Sequence, residues 1–270
     1  MMLWRNRFRY QDRINVMGVF IDPLFMEKAV QTIIRWAEAE RPHGGARYVC
    51  VSGVHGIVES QSDATFRNIL NGSDLNVPDG MPMVWLGRIA GFDETDRVFG
   101  PDLMLRVCEA SVGRAIRHFF YGGKDGIAVL LAETLQRKYP GLWVAGVHSP
   151  PFRNLTTSEA RQLVAEINQL APDILWVGLS TPKQERWMNQ FSPFLHAKVM
   201  LGVGAAFDYN TGLLLRAPHW VQRSGLEWCF RLFQEPRRLL GRYMRNNPRF
   251  LWSIMLQAMG RMTNSPKAQP

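Results

Sequence analysis

Hydrophobic residues in the middle of the chain occur in short, nearly unbroken runs, which are separated by longer segments with helical periodicity. Such runs are typical of strands that are covered on both faces, as in a parallel sheet. Strand and helix in alternation predict right-handed crossovers and an α/β fold, with a Rossmann-like, mostly parallel sheet flanked by helices. The predicted strands are residues 47–53, 118–123, 142–147, 174–178 and 199–204, the predicted helices are 124–138 and 157–170, and residues 14–22 are a candidate hairpin.

Glycines stand at the ends of four of these strands, at Gly53, Gly122-Gly123, Gly178 and Gly204. In doubly wound sheets, ligands bind beyond the carboxyl ends of the strands, where glycine lets backbone N–H groups approach a phosphate. A tight turn explains any one of these glycines, but four in the same kind of position favour a nucleotide site. Neither a dinucleotide fingerprint nor a P-loop motif is present, so those two classes of nucleotide-binding protein have little support.

The composition is that of a folded protein, with 46% hydrophobic and 20% charged residues among 270. No run of 18 apolar residues is present, which argues against a membrane-spanning helix. Arginines near the N-terminus occupy the place that a signal peptide needs for its apolar core. Three distant cysteines form neither a disulfide framework nor a zinc pattern, so we expect a protein of the reducing cytoplasm.

The net charge of +9 is concentrated at the two ends of the chain. Residues 216–249 contain eight Arg, no Lys and two Glu, whereas residues 14–215 carry a net charge of −2. This asymmetry predicts a local anionic partner such as phosphate groups, a membrane surface or nucleic acid. We therefore divide the chain into an α/β core (1–215), a helical C-terminal appendage (216–258) and a tail (259–270) that we expect to be disordered.

The C-terminal appendage allows several interpretations. Its arginines could form a solvated helix face that packs on the core. Cationic helices that carry Trp and Phe lie in membrane interfaces, and arginine without lysine favours bidentate binding of phosphate. Binding of nucleic acid fits less well, because the aromatic residues follow helix-core spacing and form no stacking platform.

Asp79 is the first candidate for chemistry. It follows a predicted strand end in the sequence Val-Pro-Asp-Gly-Met-Pro and precedes a helix in which Pro82 is an early residue. Pro-Asp-Gly is also a common turn sequence, so the motif alone is not specific. A carboxylate at this place could accept a proton from a substrate hydroxyl as a general base.

A second group of polar residues follows the strand at 174–178. Thr181 is a natural N-cap for the next helix, and Ser180, Lys183 and Gln184 form a set of donors at the helix N-terminus, where an anionic ligand is favoured. Asp208, after the last strand, is a candidate to cap a helix, bind a ribose hydroxyl or hold the appendage. The spacing of His, Cys and Asp residues matches no metal site, so no metal and no cofactor are predicted.

Taken together, these segments resemble the WecG/TagA/CpsF family of bacterial glycosyltransferases (glycosyltransferase family 26) from about residue 14 to 252. Members of this family pass a sugar from a UDP-sugar to a polyprenyl-diphosphate-linked saccharide at the inner face of the membrane, with inversion. The motifs that carry the resemblance are Asn76 to Trp85, Arg97 to Leu103, Tyr121 to Lys124, Gly178 to Trp187, Gly202 to Gly212, Arg216 to Trp220, Gly225 to Arg231 and Gln234 to Arg238.

The resemblance implies roles for individual residues of the core. Asp79 matches the proposed general base of the family, Arg97 a pocket arginine, Gln184 a pocket amide near the donor sugar, and Asp208 a pocket aspartate. Ser52 and the strand-end glycines would line the same pocket. No cofactor is implied, and the partners would be a UDP-sugar donor, a polyprenyl-linked acceptor and an anionic membrane surface, with no nucleic acid.

In the appendage, Arg231 and Arg238 match arginines that fold over the nucleotide diphosphate of the donor. A third arginine of that set would fall at Gly241, and the neighbouring Arg242 is the candidate to replace it. The resemblance thus implies a peripheral protein at the inner face of the cytoplasmic membrane. The region 55–71 is a candidate surface for a homo-oligomer.

One departure from the family concerns the segment Val51-Ser52-Gly53, which stands where the family has Thr-x-Asn. Loss of an amide that reads a substrate group is expected to change substrate preference. We therefore favour the UDP-glucose specificity of the xanthan-type β-1,4-glucosyltransferases, which act in exopolysaccharide assembly. Transfer of N-acetylmannosamine or of a uronic acid derivative is the alternative, and a basic nucleic-acid-binding protein is the alternative of another class.

Overall fold

The larger sheet is parallel and has six strands, and a three-stranded antiparallel sheet lies near the N-terminus. The structure is a computed structural model and describes residues 2–261. The strands are β1 (Arg9–Tyr10), β2 (Arg13–Val16), β3 (Val19–Ile21), β4 (Arg47–Ser52), β5 (Leu75–Pro78), β6 (Arg117–Gly122), β7 (Trp143–His148), β8 (Ile174–Gly178) and β9 (Val199–Gly202). In the larger sheet their order is β5-β4-β9-β8-β6-β7.

Thirteen α-helices connect or follow these strands in the described part of the chain, and one 3-10 turn covers Ser192–Phe194. They are α1 (Met2–Arg5), α2 (Met26–Glu38), α3 (Val54–Glu59), α4 (Ala64–Asn71), α5 (Met81–Ile89), α6 (Gly100–Ser111), α7 (Ile127–Lys138), α8 (Thr157–Leu170), α9 (Lys183–Phe191), α10 (Ala206–Asn210), α11 (His219–Arg223), α12 (Glu227–Gln234) and α13 (Pro236–Ala258).

The chain divides into two compact units. Among the described residues, the first unit contains 2–26, 51–99 and 215–261, and the second unit contains 27–50 and 100–214. The appendage therefore belongs to the same unit as Asp79. The predicted division at residue 215 stays a prediction, and most of the predicted tail lies outside the described residues.

Four of the five apolar runs form largely buried strands, whereas β7 lies at the edge of the sheet, is exposed at Trp143 and is half-buried elsewhere, so the expected coverage on both faces is wrong for that strand. Residues Ile174 to Val177 are fully buried in β8, which pairs in parallel with β6 and β9. The five predicted strands are confirmed, although the last one ends at Gly202 and not at residue 204. The predicted helix 157–170 is confirmed as well, and Thr156 and Glu159 form a reciprocal capping box at its start.

In the first unit, the predicted hairpin is confirmed by the antiparallel pairing of β2 with β3. The far end of α13 is bound to this hairpin through the buried amide of Gln257. That amide donates to the carbonyls of Arg7 (2.8 Å) and Asn15 (2.9 Å) and accepts from the N–H of Met17 (2.9 Å). Each polar atom of the Gln257 side chain is thus used, so α13 has a defined register on the hairpin.

His118 is a buried titratable group in the middle of the second unit. The indole N–H of Trp176 donates to its Nδ1 at 3.0 Å. Burial lowers the pKa of His118 to about 4, against a smaller opposite effect of Asp173. Because the unfolded chain takes up a proton near pH 6.5 and the folded chain does not, stability should fall as the pH drops from 6.5 towards 4.

We predict that His118→Gln loses less stability than the wild type between pH 6.5 and pH 4, because the glutamine oxygen can accept from Trp176 and does not titrate. A pKa shift from 6.5 to about 4 corresponds to a loss of about 3 kcal/mol in the free energy of unfolding once the pH is below both values. Thermal melting of both proteins between pH 7 and pH 4 measures the difference. The exposed His43→Gln is the matched control, and equal acid slopes for the wild type and His118→Gln would contradict the prediction.

Candidate active site in the first unit

Asp79 lies at the turn between β5 and α5. Its N–H donates to the carbonyl of Ser52 (2.9 Å), and the N–H of Val98 donates to the carbonyl of Pro78 just before it (2.9 Å). Gly80 has φ +84°, a left-handed conformation that favours glycine and turns the chain into the helix. The half-buried Asp79 is therefore held between two neighbouring segments of backbone.

Gly53 borders the carboxyl group of Asp79. A Cβ atom at position 53 would lie 3.3 Å from the Asp79 carbonyl oxygen and 3.5 Å from its Oδ2. Any larger side chain at this position would therefore contact the carboxylate. The structure thus brings together Ser52, Gly53 and Asp79 from the predicted set, and glycine places no side chain of residue 53 against the carboxylate.

Helix α13 of the appendage packs on α3, which begins directly after Gly53. The amide of Asn246, which is 1% exposed, donates to Nδ1 of His55 (2.8 Å). Arg245 pairs with Glu59 at the other end of α3 (3.0 Å). Because α3 is only about 9 Å long, these contacts place the middle of α13 close to the turn that carries Asp79.

Three arginines of the appendage form a cluster, which we call the arginine cluster (Arg231, Arg238 and Arg242). Burial and then the charges of Arg238 and Arg231 lower the pKa of the half-buried Arg242. Glu235 pairs with Arg238 and with Arg231 (3.7 Å). Cations that repel each other in this way bind a polyanion favourably, because it relieves the repulsion.

The arginine cluster also clarifies the departure at position 241. Gly241 is exposed on α13, and the adjacent Arg242 faces the other two arginines closely enough to feel their charges. Arg242 therefore lies near Arg231 and Arg238. Its role in binding a substrate stays a prediction.

Arg97 has protein partners in the appendage. Its Nη1 donates to Oε1 of Gln222 in α11 (2.9 Å), and its Nη2 forms an ion pair with Glu227 in α12. The guanidinium also lies over the ring of Phe99, 4.1 Å from the centroid. These partners are about 125 residues away along the chain, so no local pattern in the sequence indicated them.

In the second unit, the strand-end glycines have structural explanations. A Cβ at Gly122 would lie 2.5 Å from the carbonyl oxygen of Gly178, and one at Gly178 would lie 2.6 Å from the ring of Phe207. Gly123 and Gly204 have positive φ angles of +74° and +53°. The N–H of Gly123 donates to the carbonyl of Gly178 (3.1 Å), and the N–H of Gly204 donates to Oε1 of Gln184 (2.9 Å), so both N–H groups already have protein acceptors.

The N-terminus of α9 differs from the prediction in two respects. Thr181 does not cap the helix, since Pro182 occupies the N-cap position and the Thr181 hydroxyl donates to Oε1 of Glu185 (2.7 Å). Gln184 is 3% exposed and donates to the same oxygen (3.0 Å), so it does not belong to an exposed set of donors. Only Ser180 and Lys183 of that set are exposed.

Asp208 lies in the first turn of α10, also in the second unit. Its backbone carbonyl accepts from the N–H groups of Leu213 (2.9 Å) and Leu214 (3.1 Å). A role in substrate binding stays a prediction for Asp208, as it does for Lys183 and Gln184. Within residues 2–261, no group of three or more His, Cys, Asp or Glu is arranged to hold a metal ion.

Glu185 is a buried carboxyl group that the sequence analysis did not single out. Burial raises the pKa of its carboxyl group, although the hydrogen bonds from Thr181 and Gln184 oppose this effect. The folded state therefore favours the protonated acid. Stability from this group is complete below the ordinary pKa of 4.5 and is lost as the pH rises through the raised value in the folded state.

We predict that Glu185→Gln is more stable than the wild type at pH 8 and loses less stability between pH 5 and pH 8. Glutamine keeps the acceptor oxygen and cannot ionise. Melting temperatures across this range measure the effect, with the exposed Glu133→Gln as the control. A pH dependence of Glu185→Gln that equals that of the wild type would refute the prediction.

Comparison with known proteins connects this site to an enzyme family. The chain is 27% identical to the N-acetylglucosaminyldiphosphoundecaprenol N-acetyl-beta-D-mannosaminyltransferase of Bacillus subtilis over 207 residues, which are 77% of this chain and 78% of the relative. It is 26% identical to the protein of the same name in Bacillus spizizenii (197 residues, 73% and 74%) and 23% identical to that of Staphylococcus aureus (242 residues, 90% and 92%).

The family model described as "Glycosyl transferase WecG/TagA/CpsF family" matches residues 14–264, which is most of the chain. This match includes both Asp79 and the arginine cluster. The chain belongs to the WecG/TagA/CpsF family of glycosyltransferases.

Proposed function

We propose that this glycosyltransferase moves a sugar from a UDP-sugar to a polyprenyl-diphosphate-linked saccharide, in one displacement with inversion at the anomeric carbon. The observation that carries the proposal is the packing of α13 on α3, the helix that begins beside Asp79. This packing puts a carboxylate and a group of cations into the same unit. These are the two kinds of group that glycosyl transfer from a nucleotide diphosphate requires.

Asp79 acts as the general base in this proposal. Its carboxylate takes the proton of the acceptor hydroxyl while the hydroxyl oxygen attacks the anomeric carbon of the donor. Glycine at position 53 supports this role, because it places no side chain against the carboxylate and an acceptor hydroxyl needs to come within hydrogen-bond distance of the base.

The arginine cluster stabilises the leaving group. UDP gains negative charge as the bond to the anomeric carbon breaks, and preorganised cations lower the energy of that transition state. The bidentate geometry of guanidinium suits a diphosphate. A metal ion is not needed for this step in our proposal.

N-acetylmannosamine is the sugar that the proposal assigns to the donor. All three relatives are named as N-acetyl-beta-D-mannosaminyltransferases that act on an N-acetylglucosaminyl-diphosphate-linked polyprenol. Their matches cover at least 73% of this chain. Their names thus support the alternative of the sequence analysis better than its preferred glucosyl donor.

Glucosyl transfer, with a β-1,4 linkage in exopolysaccharide assembly, is the second candidate, and the glycine at position 53 is the observation that supports it. An asparagine at this position would contact the Asp79 carboxylate, as the positions of Oδ2 and the carbonyl oxygen indicate. Its absence changes the groups that surround the reacting hydroxyl. A change of donor or acceptor is the expected result of such a substitution.

Action at the inner face of the membrane, as a peripheral protein, is part of the proposal. In the described residues, each helix is too short or too polar to cross a bilayer. The appendage exposes large apolar side chains such as Phe233, Leu251 and Trp252 beside its arginines. This combination supports attachment to an anionic lipid surface.

We predict that Asp79→Asn lowers kcat by about 10²–10⁴-fold, which is the contribution that general-base catalysis typically makes. Binding of UDP should change less than about threefold, because the arginine cluster is intact. Turnover with labelled UDP-sugar and calorimetric titration with UDP measure the two quantities. The exposed Asp74→Asn is the matched control, and normal turnover by Asp79→Asn would remove this residue from the mechanism.

The donor is tested with a panel of labelled UDP-sugars on N-acetylglucosaminyl- and glucosyl-diphosphate-polyprenol. We expect transfer from UDP-N-acetylmannosamine, and selective transfer from UDP-glucose would support the second candidate. Gly53→Asn should then alter the ratio of kcat/KM for the two donors by about tenfold, an amount typical of one pocket contact. An unchanged ratio would show that position 53 does not select the donor.

A further inference from the structure

Arg97 and Glu227 form an ion pair that joins the loop after α5 to the appendage within the first unit. Both side chains are largely buried, with 11% and 19% exposure. A buried guanidinium that loses its carboxylate partner is strongly unfavourable, because the charge then lacks both water and a counter-ion. The pair therefore constrains the position of α12 more firmly than a surface ion pair could.

The hydrogen bonds around this pair extend the constraint to α11. Gln222 accepts from Arg97 and donates to the carbonyl of Ala217 (2.8 Å), where the appendage begins. Gln234, at the end of α12, both accepts from and donates to the backbone of Leu215 (2.8 and 3.0 Å). Arg97 is thus the point at which the first two helices of the appendage are held.

Glu227 and Arg231 stand four residues apart, so they lie on the same face of α12. A rotation or shift of α12 that separates Glu227 from Arg97 would also move Arg231. Residues 246–258 of α13 are held by different contacts, those of Asn246 and Gln257. The Arg97–Glu227 pair can therefore affect α12 without affecting the far half of α13.

We propose that Glu227 is a positioning residue, and that Arg97 acts through Glu227 by holding α12 so that Arg231 meets the diphosphate of the donor. This inference rests on the proposed function and differs from the family resemblance, which implies that Arg97 is a pocket residue. In the structure, Nη1 of Arg97 donates to Gln222, and Nη2 lies beside the carboxylate of Glu227 as part of the ion pair. A contact with the donor would require them to leave these partners.

A double-mutant cycle separates the two roles. Arg97→Met keeps the aliphatic stem, and Glu227→Gln keeps the shape of the carboxyl group. If Arg97 acts through Glu227, each single substitution should lower kcat/KM by a similar factor, up to about 100-fold for a misplaced group. The double variant should then have a kcat/KM no lower than that of the less active single variant. If Arg97 contacts the donor, Arg97→Met should have a much lower kcat/KM than Glu227→Gln, and the two losses in kcat/KM should multiply in the double variant.

Hydrogen exchange supplies a readout that is independent of turnover. Both single variants should speed exchange in residues 219–234 and leave residues 246–258 unchanged. The exposed Arg223→Gln removes a charge from α11 and should match the wild type in both assays. Unchanged exchange in 219–234 would overturn the proposal. If Asp79→Asn were active, the proposed function would fail, but the exchange experiment would still test the position of α12.

Discussion

The attachment of α13 to the rest of the first unit is the constraint on which the candidate site depends. Two buried amides carry it, Asn246 in the middle of the helix and Gln257 near its end. Amides of this kind accept few alternative arrangements, because a shift of one residue would leave buried donors and acceptors without partners. Apolar packing alone would have allowed α13 to slide along α3. The positions of Arg238 and Arg242, the two members of the arginine cluster in α13, follow from these polar contacts.

The same helix explains how one segment can have two chemical characters. On its inner side, α13 presents Leu239, Asn246 and Phe250, which are buried. On its outer side, Leu240, Met244 and Leu251 are exposed among arginines. Pro248 lies inside the helix without ending it. A helix with this distribution can join a catalytic unit on one side and face an apolar or anionic environment on the other.

Sequence reasoning succeeded where local patterns determine structure. The apolar runs at β4, β6 and β8 indicate strands that are buried on both faces, and Thr156 with Glu159 indicates the start of a helix. Each of these patterns is contained within a few neighbouring residues, so it can be recognised from the sequence. It was less successful with polar residues. The sequence predicts that Gln184 is an exposed donor. In the structure it is buried and accepts from the N–H of Gly204, which lies 20 residues away along the chain. The pairing of Arg97 with Glu227 is longer in range still, and no periodicity could have indicated it.

Glu235 is a carboxylate that forms ion pairs with two residues of the arginine cluster. Its carboxylate contacts Arg238 and Arg231, so these cations are partly neutralised when no nucleotide is present. In the proposed function, an incoming diphosphate would have to displace this carboxylate, which could return to the arginines when UDP leaves. That exchange would lower the affinity for the product, and it would make retention of inorganic phosphate or of UDP less favourable.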